Sequence, residues 1–71
     1  MNIQSTYITR MLEEKKELDE KLAKLKAFFH TPVFLKLSCE DQELLLEQES
    51  VMDRYSGILD TRIRRAGHPY A

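Results

Sequence analysis

The sequence predicts an all-α fold, an antiparallel helical hairpin with a short helical turn in its connection, which assembles into a helical-bundle homo-oligomer. Two long stretches repeat apolar residues at helical spacing, and a Thr-Pro pair separates them. The composition is rich in Leu, Lys and Glu, with only 2 Gly and 2 Pro among 71 residues. A chain of this length forms one domain of marginal stability. We therefore expect a single hairpin domain over residues 1–71, with helices at 5–29 and 39–65. A connecting turn is expected at 30–37 and a tail at 66–71.

The first predicted helix carries a heptad seam, on which Lys15 fills the one step that is not apolar. Lys15 either specifies register or oligomeric state through its polarity, or extends its charged end to water along its aliphatic stem. Ser5 or Thr6 is expected to cap the start of this helix. The apolar seam residues are Ile8, Met11, Leu18, Leu22, Leu25 and Phe29.

The connection begins at Thr31-Pro32, because proline cannot donate to the preceding turn and pushes the residue before it out of the α region. Val33, Phe34 and Leu37 are too apolar for a solvated loop. We expect them to plug the closed end of the hairpin, beside the phenylalanines that end the first helix. A connection this short makes the two long helices antiparallel neighbours.

The second long helix has start and stop signals of its own. Ser38 is expected to cap its first turn, with Asp41 at the reciprocal position of a capping box. Gly57 lies inside the helix at a cost of about 1 kcal/mol relative to alanine, which a close helix–helix approach would explain. Gly67 is available as the left-handed residue that ends the helix.

Three consecutive leucines in the second helix indicate homo-oligomerisation. Leu44, Leu45 and Leu46 advance by about 100° each and together sweep roughly 200° of the helix surface, which one partner helix cannot cover. One side is expected to pack inside the hairpin and another to meet a second copy, most simply in a dimeric four-helix bundle, although higher cyclic states are also allowed. The expected interface residues are Leu44, Leu45, Leu46, Val51, Met52, Ile58 and Leu59.

The chemistry of the chain argues against several classes of protein. The N-terminus does not resemble a signal peptide, and no apolar run approaches the roughly 20 residues that span a bilayer. A single cysteine, Cys39, cannot form an internal disulfide. We therefore expect a protein of the reducing cytoplasm without a membrane partner. An acidic middle and a basic end are a poor footprint for a DNA binder, so nucleic acid is not an expected partner.

Catalytic, metal and cofactor signatures are missing from the sequence. It contains no HExxH, no CxxC and no glycine-rich phosphate loop, and its two histidines stand alone. Cys39 has no histidine or second cysteine at a recognisable spacing, so a structural role is expected for it. We expect a protein that is not an enzyme and that needs neither a metal nor a cofactor.

A polar line with a seven-residue period follows the second helix through Asp41, Gln48, Tyr55 and Arg62. These side chains are expected to point at or near the bundle interior. They form either a satisfied hydrogen-bond network or a ligand pocket at an oligomer interface. Arginine and tyrosine suit the pocket, because they are residue types that grip a phosphate and stack on a base or ribose.

The basic end of the chain is a second candidate site. Copies related by symmetry would together bind a dianionic ligand that one copy does not hold. Alternatively, the cations only complement the helix dipole and the tail frays. The residues concerned are Arg62, Arg64, Arg65, His68 and Tyr70.

Part of the sequence resembles a known group of proteins. The residues that carry the resemblance are Lys24-Leu25, Phe28-Phe29, Thr31-Pro32-Val33-Phe34, Gln42, Leu44-Leu45, Gln48, Met52, Tyr55, Ile58-Leu59 and Arg62-Ile63. Over about residues 11–63 the chain resembles small helical-hairpin proteins of tailed phages and prophages. The resemblance implies a phage accessory protein in the cytoplasm of an infected bacterial host. Many such proteins blunt a host defence, and some oligomeric ones sequester cyclic nucleotide or ADP-ribose-type signals.

The leading hypothesis is an oligomer that counters host defence by holding a phosphate-bearing nucleotide unmodified in its interface pockets. The expected ligand is a cyclic oligonucleotide or a molecule of the ADP-ribose type. The alternative is a helical inhibitor or adaptor that presents its spare leucine face or acidic helix to a host protein. The expected ligand-binding residues are Arg62, Tyr55, Gln48, Arg64, Arg65, His68 and Tyr70.

Overall fold

The computed structural model describes residues 3–67, which form three helices in the order α1 (Ile3–Phe28), α2 (Pro32–Leu35) and α3 (Cys39–Arg65). The two long helices, α1 and α3, pack against each other, and the described part of the chain contains no strand. The predicted all-α hairpin with a helical turn in its connection is confirmed. Among the described residues, no helix is both long enough and apolar enough to cross a membrane.

The core lies along the line where α1 meets α3. Met11 and Leu22 of α1 are buried there, and Leu59 and Ile63 of α3 have no exposed surface. Met11 and Leu22 belong to the predicted heptad seam, so the seam is confirmed as the inner face of α1. Leu59 was expected to meet a second copy. That expectation is corrected, because one hairpin already covers this side chain completely.

The closed end of the hairpin is plugged by one aromatic side chain. Phe34 is buried, with its ring centroid 6.0 Å from that of Phe28 and 5.0 Å from that of Phe29. Val33 is 57% exposed, so its predicted place in the plug is wrong. A single helical turn directs its side chains around its whole circumference, and only one of them reaches the hairpin interior here.

The connection is held in place by Gln42, for which the sequence predicted no structural role. The Gln42 side-chain amide donates hydrogen bonds to the carbonyl oxygens of Phe34 at 3.0 Å and Leu37 at 3.2 Å. The Thr31 hydroxyl accepts a bond from the backbone N–H of Phe34 at 3.3 Å and so caps α2. These bonds satisfy backbone groups that a tight turn would otherwise leave unpaired.

The termini of the long helices are partly as expected. Ser38 Oγ accepts a hydrogen bond from the backbone N–H of Asp41 at 3.1 Å, which confirms the cap of α3. Gly67 has a φ of +89°, the left-handed conformation that ends α3. At the other end of the hairpin, α1 begins by Ile3, so the expected cap at Ser5 or Thr6 is wrong because both residues lie within the helix.

The close helix–helix approach expected at Gly57 does not occur within the hairpin. A Cβ atom added to Gly57 would meet nothing within 4 Å, so no helix approaches it within the hairpin. Residues two positions apart on a helix lie about 200° apart around its axis. Because Leu59 points into the core, Gly57 is placed on the opposite, exposed side of α3.

A polar cluster joins the two long helices beside the core, and we call it the Lys15 cluster. The ammonium group of Lys15 lies 2.7 Å from a carboxylate oxygen of Asp19 and 3.2 Å from the hydroxyl oxygen of Ser56. The Ser56 hydroxyl donates to the second carboxylate oxygen of Asp19 at 2.5 Å. Ser56 is buried, so this network links α1 to α3 in one register. Lys15 was expected either to specify register or to extend its charge to water, and the structure shows it in a contact that fixes the register.

The Lys15 cluster predicts a dependence of stability on pH. Hydrogen bonds from Lys15 and Ser56 hold the pKa of the Asp19 carboxyl below its ordinary value of 3.8. A carboxyl group whose pKa is lower in the folded state stabilises the fold above the unfolded-state pKa. That contribution disappears as the pH falls through the folded-state pKa. We expect Asp19→Asn to flatten the fall in the free energy of unfolding below about pH 4.

Urea titrations at a series of acidic pH values measure this free energy. Glu17→Gln removes an exposed carboxylate from the same helix and serves as the control. Equal acid dependence in the wild-type protein and Asp19→Asn would show that the Lys15 cluster does not contribute to it.

Candidate functional site

Two pairs of side chains join α1 to α3 along one edge of the hairpin, which we call the tyrosine edge. Arg62 donates a hydrogen bond to the hydroxyl of Tyr7 at 2.5 Å, and its guanidinium carbon lies 5.6 Å from the centroid of the Tyr7 ring. Two turns earlier on α3, the Tyr55 hydroxyl donates to a carboxylate oxygen of Glu14. A cationic guanidinium over an aromatic face is a stabilising arrangement. The tyrosine edge thus consists of two cross-helix pairs, each with one tyrosine.

Within the single hairpin, the polar line does not point into the core. Tyr55 is 37% exposed, and Arg62 and Gln48 are exposed as well. Helix α3 is rotated about its axis so that Leu59 and Ile63 occupy the inner face of the hairpin. The polar line therefore lies at the border between the two helices, where its side chains reach across to α1 in contact with water.

A cleft lies at the open end of the tyrosine edge. It has a volume of about 280 Å³ and is lined by Tyr7, Arg62, Arg65 and Ala66. Pockets for small molecules usually measure about 300–1,000 Å³, so this cleft matches a phosphate and part of a sugar or base of a larger nucleotide. Two guanidinium groups from the last turn of α3 provide its charge.

Hydrogen bonding raises the pKa of both Arg62 and Tyr55 and so reinforces their ordinary ionisation states. The hydrogen bond to the Tyr7 hydroxyl raises the pKa of Arg62 further above its ordinary range. The bond to the Glu14 carboxylate raises the pKa of the Tyr55 phenol. Arg62 is cationic and Tyr55 is a neutral donor at physiological pH, as at their ordinary pKa values. A fixed cation beside neutral aromatic rings is a suitable setting for a bound anion.

The other predicted ligand-binding residues are more scattered. Gln48 lies two turns before Tyr55, towards the closed end of the hairpin, and is not part of the cleft. Arg64 pairs with Asp60 at 3.0 Å and does not line the cleft. His68 and Tyr70 lie outside the described residues. The structure thus gathers three of the predicted residues at one edge, namely Tyr55, Arg62 and Arg65.

Tyr7 is the site residue that sequence reasoning missed. Tyr7 and Arg62 are equally distant from the point between Phe34 and Leu35, and so are Glu14 and Tyr55, but the sequence did not mark this point as the centre of the turn. Residues at equal distances from the turn of an antiparallel hairpin face each other. Counting outward from Thr31-Pro32 would have paired Tyr7 with Ser56, so the register of the two helices was needed to find its partner.

A column of exposed apolar side chains follows the polar line on α3, and we call it the α3 column. It consists of Leu44, Val51 and Ile58, which are 62%, 61% and 48% exposed. These residues were expected at an interface with a second copy, and a single hairpin leaves them uncovered. Of the other expected interface residues, Leu45 and Met52 are half-buried and Leu46 is exposed.

Comparison with known proteins identifies the family of the chain. The family model described as Sequestin matches residues 5–65, a range that includes both pairs of the tyrosine edge, the cleft arginines and the α3 column. Searches of curated proteins and of solved structures gave no match. Because the family model covers most of the 71 residues, the chain belongs to the Sequestin family.

Proposed function

We propose that the protein is a non-enzymatic homo-oligomer that binds and sequesters a phosphate-bearing nucleotide signal. The cleft lined by Tyr7, Arg62 and Arg65 is the observation that carries this proposal. The family name is consistent with a sequestering role. The resemblance to phage hairpin proteins supplies the biological setting, a counter-defence protein in the cytoplasm of an infected bacterium. The signal is of the cyclic oligonucleotide or ADP-ribose type.

The chemistry of the cleft suits a phosphate group. Arg62 and Arg65 are three residues apart, so both lie on one side of the last turn of α3. A guanidinium group binds phosphate through two parallel N–H donors, which adds geometric specificity to the charge attraction. The Tyr7 ring lies beside Arg62 and offers an apolar face for the ribose or base.

Sequestration also fits the kinds of side chain at the tyrosine edge. Glu14 already accepts the hydrogen bond of Tyr55, and Arg62 is engaged with Tyr7. These contacts hold the side chains in place before the ligand arrives, which reduces the entropy lost on binding. A protein that acts by sequestration needs affinity and abundance, and it releases the ligand unchanged when it is denatured.

Calorimetry against cyclic dinucleotides, cyclic trinucleotides and cyclic ADP-ribose isomers tests the proposal. We expect heat of binding with at least one of these classes. The ligand is then recovered from the denatured complex and compared with the starting material by chromatography. Intact ligand is the expected result. A converted ligand would overturn the non-enzymatic part of the proposal, and the absence of heat with every compound would overturn nucleotide sequestration.

The second candidate function is a helical inhibitor or adaptor that acts on a host protein. The exposure of the α3 column favours it, because apolar side chains seven residues apart on one side of a helix can act as anchors in the groove of a partner protein. Absence of nucleotide binding together with stoichiometric capture of one host protein would favour this alternative.

A further inference from the structure

The α3 column is symmetric about its middle residue. Val51 is seven residues from Leu44 and seven from Ile58. Reversing the direction of the helix about Val51 therefore exchanges the positions of Leu44 and Ile58 and leaves Val51 in place. Residues at this spacing lie on one side of a helix, as residues at a single heptad position do. A second α3 running in the opposite direction would therefore set Leu44 against Ile58, and Val51 against Val51.

We propose that the α3 column docks on the α3 column of a second copy, with the two helices antiparallel and a two-fold axis at Val51. This inference rests on one part of the proposed function, namely that the protein is a homo-oligomer. The interface itself does not depend on a nucleotide. The same patch of each copy is used, as in other two-fold interfaces. The column is the surface that the single hairpin leaves exposed beside its polar line.

The distribution of charge along α3 favours the antiparallel direction. The first turn contains Glu40 and Asp41, and the last turn contains three arginines. In the antiparallel register the basic last turn of one copy lies alongside the acidic first turn of the other, because Arg62 and Glu40 are both eleven residues from Val51. A parallel arrangement would instead place each acidic start against an acidic start and each basic end against a basic end. Like charges disfavour that arrangement, and parallel helix dipoles add to the penalty.

A second charge pair supports the same register. Arg54 follows Val51 by three residues and Glu47 precedes it by four, and both lie on the same flank of the α3 column. An antiparallel second copy therefore brings its Glu47 next to Arg54. Both side chains are exposed in the single hairpin and are available for this pair.

The opposite flank of the column carries the polar line. Tyr55 follows Val51 by four residues and Gln48 precedes it by three, so the second copy places its Gln48 beside Tyr55. An amide is both a donor and an acceptor, and the phenol oxygen of Tyr55 has remaining acceptor capacity after donating to Glu14. The second copy thereby adds Gln48 to the tyrosine edge, which a single hairpin leaves incomplete.

This geometry determines the number of ligands in each dimer. The two Arg62 residues are separated by twice eleven helical residues, or about 33 Å along the axis. Each dimer therefore has two separate clefts and binds one ligand per chain. Arg65 extends beyond Cys39, the first residue of α3 in the second copy, so its charge stays available for the ligand.

Cysteine cross-linking tests the interface without any ligand. Cys39 is an exposed free thiol and is first replaced by serine. Single variants Leu44→Cys, Val51→Cys and Ile58→Cys are reduced, mixed in pairs and then oxidised. We expect Val51→Cys to cross-link with itself, and Leu44→Cys to cross-link with Ile58→Cys only when the two are mixed. Disulfides form only between Cα atoms about 4.4–6.8 Å apart, so the pattern reports the register.

Two results would overturn the proposal. Disulfide-linked dimers formed by Leu44→Cys alone and by Ile58→Cys alone would show that the two helices are parallel. Cross-linking no faster than that of Ser50→Cys, an exposed control outside the column, would show that a second copy does not occupy it. Such a negative result with intact nucleotide binding would refute the interface alone. The expected cross-links without nucleotide binding would refute the proposed ligand alone.

A charge exchange provides an independent check on the direction of the helices. Arg54→Glu and Glu47→Arg are each expected to raise the dimer dissociation constant by roughly 3- to 10-fold at low salt, because each dimer contains two such pairs. The double variant is expected to restore it. Sedimentation at several protein concentrations measures the constant, and additive losses in the double variant would contradict the antiparallel pairing.

Discussion

Arg62→Ala is expected to weaken nucleotide binding by about 10- to 150-fold while leaving the hairpin folded, given that hydrogen bonds to charged groups contribute about 1.5–3 kcal/mol. The substitution removes the guanidinium that lines the cleft and contacts Tyr7. Arg62 is exposed, so its loss leaves no cavity in the core. Calorimetry with the nucleotide that gives heat in the panel measures the change in affinity.

Arg64→Ala provides a matched control for this prediction. It removes the same type of side chain from the same turn, but Arg64 pairs with Asp60 at 3.0 Å and does not line the cleft. We expect its affinity to stay within about 3-fold of the wild-type value, since exposed pairs contribute little. Equal losses of affinity in the two variants would show that only the total charge of the helix end matters. An unchanged affinity in Arg62→Ala would show that Arg62 is not part of the site.

Leu59→Ala is expected to lower the free energy of unfolding by about 2–5 kcal/mol, the usual cost of removing a fully buried leucine side chain. Leu59 has no exposed surface, and the core of this hairpin is small. A domain of this size has little stability to lose, so we expect the variant to be largely unfolded at physiological temperature. Circular dichroism during urea and thermal denaturation measures the change.

Leu46→Ala makes the same substitution at an exposed position and serves as the control, because Leu46 is 49% exposed and lies outside the α3 column. Its effect is expected to be within about 0.5 kcal/mol, as for most surface substitutions. Both variants are compared at one protein concentration, since oligomerisation shifts apparent stability. Similar losses in the two variants would show that Leu59 is not the centre of the core.

The elements of the fold were predictable because their signals are local. The Thr31-Pro32 break, the Ser38 cap and the left-handed Gly67 each depend on the conformational preferences of a few neighbouring residues. The heptad seam of α1 was equally clear, because one face carries nearly all of its apolar side chains. The start of α1 was misplaced, since serine and threonine also occur within helices when no cap is needed.

The candidate site was only partly predictable. Sequence spacing placed Tyr55 and Arg62 on one line of α3, and the nearness of Arg65 followed from helical geometry. Their partners Tyr7 and Glu14 are distant in sequence and required the register of the hairpin. The register depends on contacts between two helices, which the pattern of one helix does not contain.

The rotation of α3 shows most clearly the difference between local and tertiary information. The sequence alone established two adjacent apolar columns on this helix, one through Leu59 and the other through Ile58, about 100° apart. Packing turned the Leu59 column inward, because Ile63 extends it and Ser56 beside it meets the polar side chain of Lys15. The α3 column through Ile58 continues instead to Arg65, whose charge requires water or an anion. The packing of α1 against α3 therefore determined which column of α3 is buried. The arginines, the tyrosine edge and the α3 column remain on the outside.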